Sequence, residues 1–163
     1  ALNPPKKTGR KTVGIHAGAS SIASHKAIPV DFIKELMEHL NHEGYKVILF
    51  GTKKELTKLQ KLKNENIVFA SDENIIKNLS LVQYCDLFIG SDSVFKTMAS
   101  MLKKQTIVLY QKHKNNFRDR VFITPYVKEH MMHVYQYTNF NKTDMKSALE
   151  FISNVMNLEL NNS

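Results

Sequence analysis

Strand-type and helix-type periodicities alternate along most of this 163-residue chain, and that alternation narrows the fold before composition is consulted. Leu87-Phe88-Ile89-Gly90-Ser91-Asp92-Ser93 reads as a short apolar strand and a tight Gly/Ser/Asp turn. Val94 to Ala99 continues as a helix opening at Asp92 or Ser93, and Thr106–Tyr110 follows as another strand. The loop of this unit presents backbone N–H groups at a helix N-terminus, where about half a positive charge from the macrodipole favours a phosphate.

The same alternation holds upstream and downstream. Thr12–His16 is strand-like and runs into a small-residue loop, Ala17 to Ser24. Pro29 suits a first helical turn, after which Phe32, Ile33, Leu36, Met37 and Leu40 mark one buried face. Gly44 caps that helix, and Tyr45–Phe50 forms a strand ended by Gly51-Thr52. A lysine-rich helix is predicted over Lys54 to Lys63, with Leu56, Leu59 and Leu62 inward. Ile67–Phe69 is a third strand, and Ile75, Ile76, Leu79, Leu81 and Val82 give another amphipathic helix. His133–Tyr137 is the last strand. Thr143 is predicted to cap a final helix with Met145, Leu149, Ile152, Val155 and Met156 on its inner face. The tail from Asn157 to Ser163 is expected to fray.

Parallel neighbours need crossover helices, so this pattern predicts an α/β fold: a doubly wound, parallel, Rossmann-like sheet. Val13–His16, Val47–Phe50, Ile67–Phe69, Leu87–Ile89 and Thr106–Leu109 are expected to be parallel strands of one sheet. The domain spans residues 12–157, between a Pro/Lys/Gly-rich segment at 1–11 and a short tail at 158–163. Such sheets bind ligands outside the carboxyl ends of their strands. Ala17–Ser24, Gly51–Lys54, Ala70–Asn74 and Gly90–Ser93 all fall at that edge.

Composition excludes several alternatives. A single cysteine, Cys85, leaves no internal disulfide framework and no multi-cysteine zinc site, and reads as a buried small hydrophobe. Apolar runs fall far short of the ~20 residues that span a bilayer, and no apolar signal region opens the chain. These features point to the cytoplasm. The net charge of +8, from 23 Lys+Arg against 15 Asp+Glu, suits anionic headgroups or phosphorylated ligands as well as a merely solvated lysine surface. No aromatic-interleaved basic motif argues for nucleic acid. His130 and His133 lack the i, i+4 pairing of a helical zinc motif, and His113 and His133 read as exposed loop residues. Neither a metal nor a cofactor is expected. Ser20-Ser21 lacks a nucleophile-elbow setting, and the Gly-x-Gly-x-x-Gly and Walker loops are absent.

The candidate binding residues lie in the edge loops. Gly18, Ala19 and Ser20 let backbone approach a diphosphate closely, and Lys26 can meet it as a point charge. Gly51 ends the second strand, and Glu55 follows in the first turn of a helix, where an acid offsets the macrodipole without any ligand. Asp92 is either a ligand-facing carboxylate or a helix N-cap, a role worth about 1 kcal/mol.

The strand ending in His16-Ala17-Gly18-Ala19, followed by Lys26-Ala27-Ile28-Pro29, resembles the opening of the C-terminal domain of glycosyltransferase family 9, the ADP-heptose heptosyltransferases. The likeness continues through Gly44–Glu55 and ends at Cys85–Ser93, covering roughly residues 12–110. It implies one half of a GT-B fold, whose two Rossmann-like halves share a sugar nucleotide held mainly by the C-terminal half. By position, Lys26 resembles the donor-phosphate lysine and Glu55 the ribose-binding acid. Asp92 and Ser93 resemble the Asp-Thr pair that meets donor sugar and diphosphate. Gly18, Ala19, Ser20, Gly51, Gly90 and Thr97 complete the implied donor site. Val94 stands where the family has glycine, and Thr97 where it has histidine.

The resemblance implies transfer of a hexosyl or heptosyl group from an ADP-heptose-like donor to a surface glycan such as lipopolysaccharide. The catalytic base is expected in an N-terminal half, since this length supplies one Rossmann-like unit. A glycolipid acceptor at the inner membrane face is the implied second substrate. The alternative is a non-catalytic nucleotide-binding or protein-interaction module with a degraded phosphate site, favoured by Val94 and Thr97.

Overall fold

The computed structural model describes residues 9–16, 18, 28–71, 74–112 and 131–161. Six strands form one fully parallel sheet in the order β3-β2-β1-β4-β5-β6. They are β1 (Thr12–His16), β2 (Lys46–Phe50), β3 (Ile67–Ala70), β4 (Leu87–Ser91), β5 (Gln105–Gln111) and β6 (Met132–Tyr137). The five strands expected to be parallel are so, and β6 pairs parallel with β5 from Thr106↔Met132 to Gln111↔Tyr137.

Helices cover both faces. On one, α1 (Val30–His42), α2 (Lys53–Thr57) and α5 (Lys142–Glu159) bury Phe32, Leu36, Leu40, Leu56, Ile152 and Met156 against Val13, Ile15, Leu49 and Ile89. On the other, α3 (Ile75–Ser80), the 3-10 turn Leu81–Tyr84 and α4 (Val94–Met101) bring Leu81, Val82, Phe95 and Ala99 onto Ile48, Phe50 and Phe88. Neighbouring strand residues thus serve opposite faces, as a pleated sheet requires. Gly14 is the tight spot of the second face: a Cβ there would lie 2.6 Å from the Cys85 Sγ and 3.1 Å from the Phe50 and Phe88 rings.

Several local expectations are corrected. The lysine-rich segment is not one helix: α2 stops at Thr57 and a 3-10 turn spans Gln60–Leu62. Leu56, Leu59 and Leu62 recur every three residues, the period of a 3-10 rather than an α-helix. The Thr57 hydroxyl also donates to the Lys53 carbonyl at 2.7 Å. Ile75 and Ile76 stand exposed in the first turn of α3 instead of facing inward. The cap of α5 is Asn141, not Thr143. The Asn141 side chain accepts from the Asp144 N–H at 3.0 Å and Asp144 Oδ2 accepts the Asn141 N–H at 3.3 Å, a reciprocal capping box. The tail expected to fray from Asn157 remains helical to Glu159, because Leu160 is buried and the Tyr45 hydroxyl donates to Asn161 Oδ1 at 3.1 Å. His133 is a half-buried residue of β6, 3.1 Å from Gln105 Oε1, not an exposed loop residue; His113 and His130 lie outside the described residues.

Candidate donor site at the sheet's carboxyl edge

Strand order reverses between β1 and β4, which are neighbours although far apart in sequence. Open α/β sheets form their ligand crevice at such a switch point. Gly18 follows β1, Gly51 follows β2, and Asp92 and Ser93 follow β4, so these candidates converge on one edge although they come from three connections. The Ser91 hydroxyl ties two of those connections together by donating to the Gly18 carbonyl at 3.0 Å.

Glu55 takes the capping role. The Thr52 N–H donates to Glu55 Oε2 at 2.7 Å, while the Thr52 hydroxyl accepts from the Glu55 N–H at 3.3 Å, so the acid closes a capping box on α2. The same carboxylate lies against Gly18 so closely that a Cβ there would overlap it, and a Cβ at Gly51 would come within 3.1 Å of Oε2. The cap therefore holds a carboxylate at the mouth of the β1 loop. Gly90 has a different place. It belongs to β4, opposite His16, and a Cβ on it would lie 2.9 Å from the His16 carbonyl and from the Phe88 ring. Its missing side chain permits close strand packing, and the turn after β4 is confined to Asp92 and Ser93.

α4 opens on Ser93, whose backbone is extended and whose side chain makes no cap bond to the helix. Its hydroxyl instead lies 3.3 Å from His16 Nδ1. Asp92 is not the N-cap; its Oδ1 meets the Lys96 Nζ at 2.8 Å, and both side chains are largely buried. Thr97 turns its hydroxyl back to the Ser93 carbonyl at 3.4 Å, so at the position where the family histidine falls the side chain bonds its own helix. Val94 is half exposed at the first turn.

His16 and Lys96 were not among the candidates read from the sequence. The signal for Lys96 was present: an acid four residues ahead of a lysine is the favoured orientation for a helical ion pair. His16 gives less away, as one polar residue ending an apolar strand. It is 7% exposed, and its ring stacks on Phe95 with centroids 4.5 Å apart. Burial lowers its pKa from 6.5 to about 4, against an opposing pull from the Glu55 charge, so the imidazole is neutral at pH 7.

Ala19, Ser20 and Lys26 lie outside the described residues. Cys85 is buried behind Gly14, its thiol pushed up to about 12 by burial, away from this edge. Among the described residues no group of three or more His, Cys, Asp and Glu side chains could hold a metal ion, and no helix is long and apolar enough to cross a membrane. A polar cleft of about 500 Å³ lies away from these residues, beyond the ends of β5 and β6, lined by Lys112, Gln136, Thr138, Asn141 and Asp144 among others.

The parallel sheet, its strand order and the small-residue edge at the switch point define a Rossmann-like domain of the kind that receives nucleotides. Residues 2–152 match the family model of glycosyltransferase family 9 (heptosyltransferase), and the chain belongs to that family. Among solved structures it is similar to ADP-heptose lipopolysaccharide heptosyltransferase II of E. coli, at 21% identity and a TM-score of 0.72, covering 93% of this chain and 48% of that one. It is similar as well to E. coli heptosyltransferase WaaC with ADP, at 17% identity and a TM-score of 0.71, covering 94% and 46%. A family 9 glycosyl transferase from Veillonella parvula gives 17% identity and a TM-score of 0.69, covering 95% and 47%. At these identities the likeness is one of fold, and the chain spans about half the length of each structure. A comparison with curated proteins finds no match.

Proposed function

We propose that this chain is the donor-binding half of a heptosyltransferase-like glycosyltransferase, taking a nucleoside-diphosphate sugar of the ADP-heptose type. One observation carries the reading: the connections after β1, β2 and β4, which hold Gly18, Glu55, Asp92 and Ser93, fall at the carboxyl edge beside the switch point of a family 9 domain, with Glu55 against Gly18 and Ser91 bonded to Gly18. Relatives of the same fold have been solved with ADP and with an ADP-2-deoxy-2-fluoro heptose.

In this reading Lys26 and the N–H groups at the start of α4 receive the diphosphate and stabilise the charge that grows on it as the glycosidic bond breaks. Gly18, Ala19 and Ser20 give the backbone close access, and Glu55 takes a ribose hydroxyl. Asp92, fixed by Lys96, and Ser93 meet the donor sugar. An N-terminal half supplies the base that deprotonates the acceptor hydroxyl. The acceptor is a glycolipid at the inner face of the membrane, a surface to which the exposed Lys53, Lys54, Lys58 and Lys61 are suited by charge.

A second reading, a nucleotide-binding or protein-interaction module without turnover, is favoured by Thr97, whose hydroxyl bonds back to Ser93 and brings no cation to the phosphates. Calorimetric titration tests the binding that the first reading requires. ADP is expected to bind more tightly than AMP, and Lys26→Ala to cost ~1–2 kcal/mol, one charge-assisted hydrogen bond less its desolvation. Val94→Gly is expected to raise affinity by admitting the phosphates closer to the backbone. No ADP binding at millimolar ligand by either the parent or Val94→Gly refutes the donor site. Binding without sugar transfer in the intact protein selects the second reading.

A further inference from the structure

Ser93 is an N-cap residue that does not cap. A serine there ordinarily accepts a hydrogen bond from an N–H of the first helical turn, yet Ser93 makes no side-chain bond to α4 and its hydroxyl is 3.3 Å from His16 Nδ1. A hydroxyl has one proton, so the direction of this bond decides what Ser93 offers the crevice. If Nδ1 accepts, the proton is spent on the imidazole and only oxygen lone pairs face a ligand. If Nδ1 carries the hydrogen and donates, the Ser93 proton is left to be given to an anionic oxygen.

We infer that His16 is a positioning residue for the donor diphosphate: its Nδ1–H holds the Ser93 oxygen and turns the Ser93 proton outward to a phosphate oxygen. This rests on the donor-site reading above and adds a residue and a proton direction to it. The geometry is built for the task. The His16 ring is buried and backed by Phe95, a residue of the same first turn of α4, so ring and hydroxyl are held by one rigid element. Gly90 opposite gives the His16 backbone room to sit close to β4, and the Ser91–Gly18 bond fixes the strand ends on either side. Burial keeps the ring neutral, so it offers one N–H and one lone pair, and the ligand's charge chooses between the two tautomers. An anionic oxygen near Ser93 favours the arrangement in which both hydrogens run outward, from Nδ1 to Oγ to phosphate.

Two measurements on the intact protein test this. The first needs no substitution: nitrogen chemical shifts of the His16 imidazole report the tautomer with and without ADP. ADP is expected to leave Nδ1 protonated; an Nδ1 without hydrogen in the ADP complex overturns the inference. The second is a double-mutant cycle read with ADP and with adenosine, which lacks the diphosphate. His16→Leu is expected to weaken ADP by up to about tenfold, as loss of the neutral hydrogen bond that orients the Ser93 donor does, and to leave adenosine unchanged. His16→Asn, whose amide nitrogen can stand near the Nδ1 position, is expected to restore most of the affinity. In a Ser93→Ala background His16→Leu should have no further effect. A loss shared equally by ADP and adenosine, or one undiminished in Ser93→Ala, shows a merely structural histidine and overturns the role. Failure of the parent protein to bind ADP at all refutes the donor site itself, and the His16 role falls with it.

Discussion

The two faces of the sheet are built differently. The face under α1, α2 and α5 is a continuous, mainly aliphatic cluster with Phe32 at 0% exposure, and of the polar groups of the candidate site it carries only Glu55, at the start of α2. The face under α3 and α4 is smaller and relies on rings and small residues: Phe50, Phe88 and Phe95 pack together, with Gly14, Ala99 and Cys85 filling the narrow places. Its outer end carries the β4 side of the candidate site, since Phe95 backs His16 and α4 carries Asp92's partner Lys96. Apart from Glu55 at the start of α2, the first face supplies stability, while the second holds His16 and Ser93, so a substitution deep in the first face should be felt in unfolding and one under α4 in ligand binding as well.

The largest expected effect breaks that comparison most directly. Phe32 is wholly buried and meets the Phe140 ring edge-on at 4.9 Å. Phe32→Ala should cost about 3–5 kcal/mol in denaturant unfolding and leave the ADP affinity of the folded protein unchanged. Phe95→Ala should lower both stability and affinity, because the His16 ring loses its backing. If the two substitutions alter affinity equally, the division of labour between the faces is wrong.

A pH titration sharpens it next. His16 is a buried titratable group of the α4 end, and its folded pKa of about 4 lies below the ordinary 6.5. Above pH 6.5 both folded and unfolded states hold the ring neutral. As pH falls from 6.5 towards 4, the unfolded chain takes up a proton that the folded one refuses, and stability is lost by roughly 3 kcal/mol. The neighbouring Glu55 charge works against that loss and is already part of the shift. In His16→Asn the decline between pH 6.5 and 4 should be shallower than in the parent, as read from urea midpoints at each pH. Parallel declines would mean that the ring is not held neutral.

Much of this architecture was legible because buried parallel strands announce themselves. Val47–Phe50 and Leu87–Ile89 are continuous apolar runs, as strands covered on both faces must be, and the α1 face repeats at helical spacing. Edge loops could be placed because strand ends were. What the sequence hid was orientation. Lysine is ordinarily read as solvated, yet Lys96 is buried because Asp92 stands one helical turn before it. Glu55 looked like either a cap or a ligand, and only the fold showed that the capping bond sets the carboxylate against Gly18. The strand was expected to stop at Ile89; it runs to Ser91 because Gly90 lets β4 lie close beside His16.

The smallest expected effect contrasts the two helix starts that represent the two faces. α5, on the large apolar face, opens with the reciprocal Asn141–Asp144 box, whereas α4 opens on Ser93 with no side-chain cap. Asn141-Lys142-Thr143-Asp144 contains two plausible caps, and the box requires an acceptor side chain three residues ahead of its acid, which selects Asn141. Asn141→Ala should therefore cost about 1 kcal/mol of stability, while Thr143→Ala costs little. Ser93→Ala should also cost less than Asn141→Ala, because the Ser93 hydroxyl satisfies no helix N–H, yet it should weaken ADP binding where Asn141→Ala does not. Urea midpoints and ADP titrations on the three variants check both halves. A stability loss at Ser93 as large as that at Asn141 would make Ser93 an ordinary cap and remove the distinction between a helix start that serves the fold and one that serves the ligand.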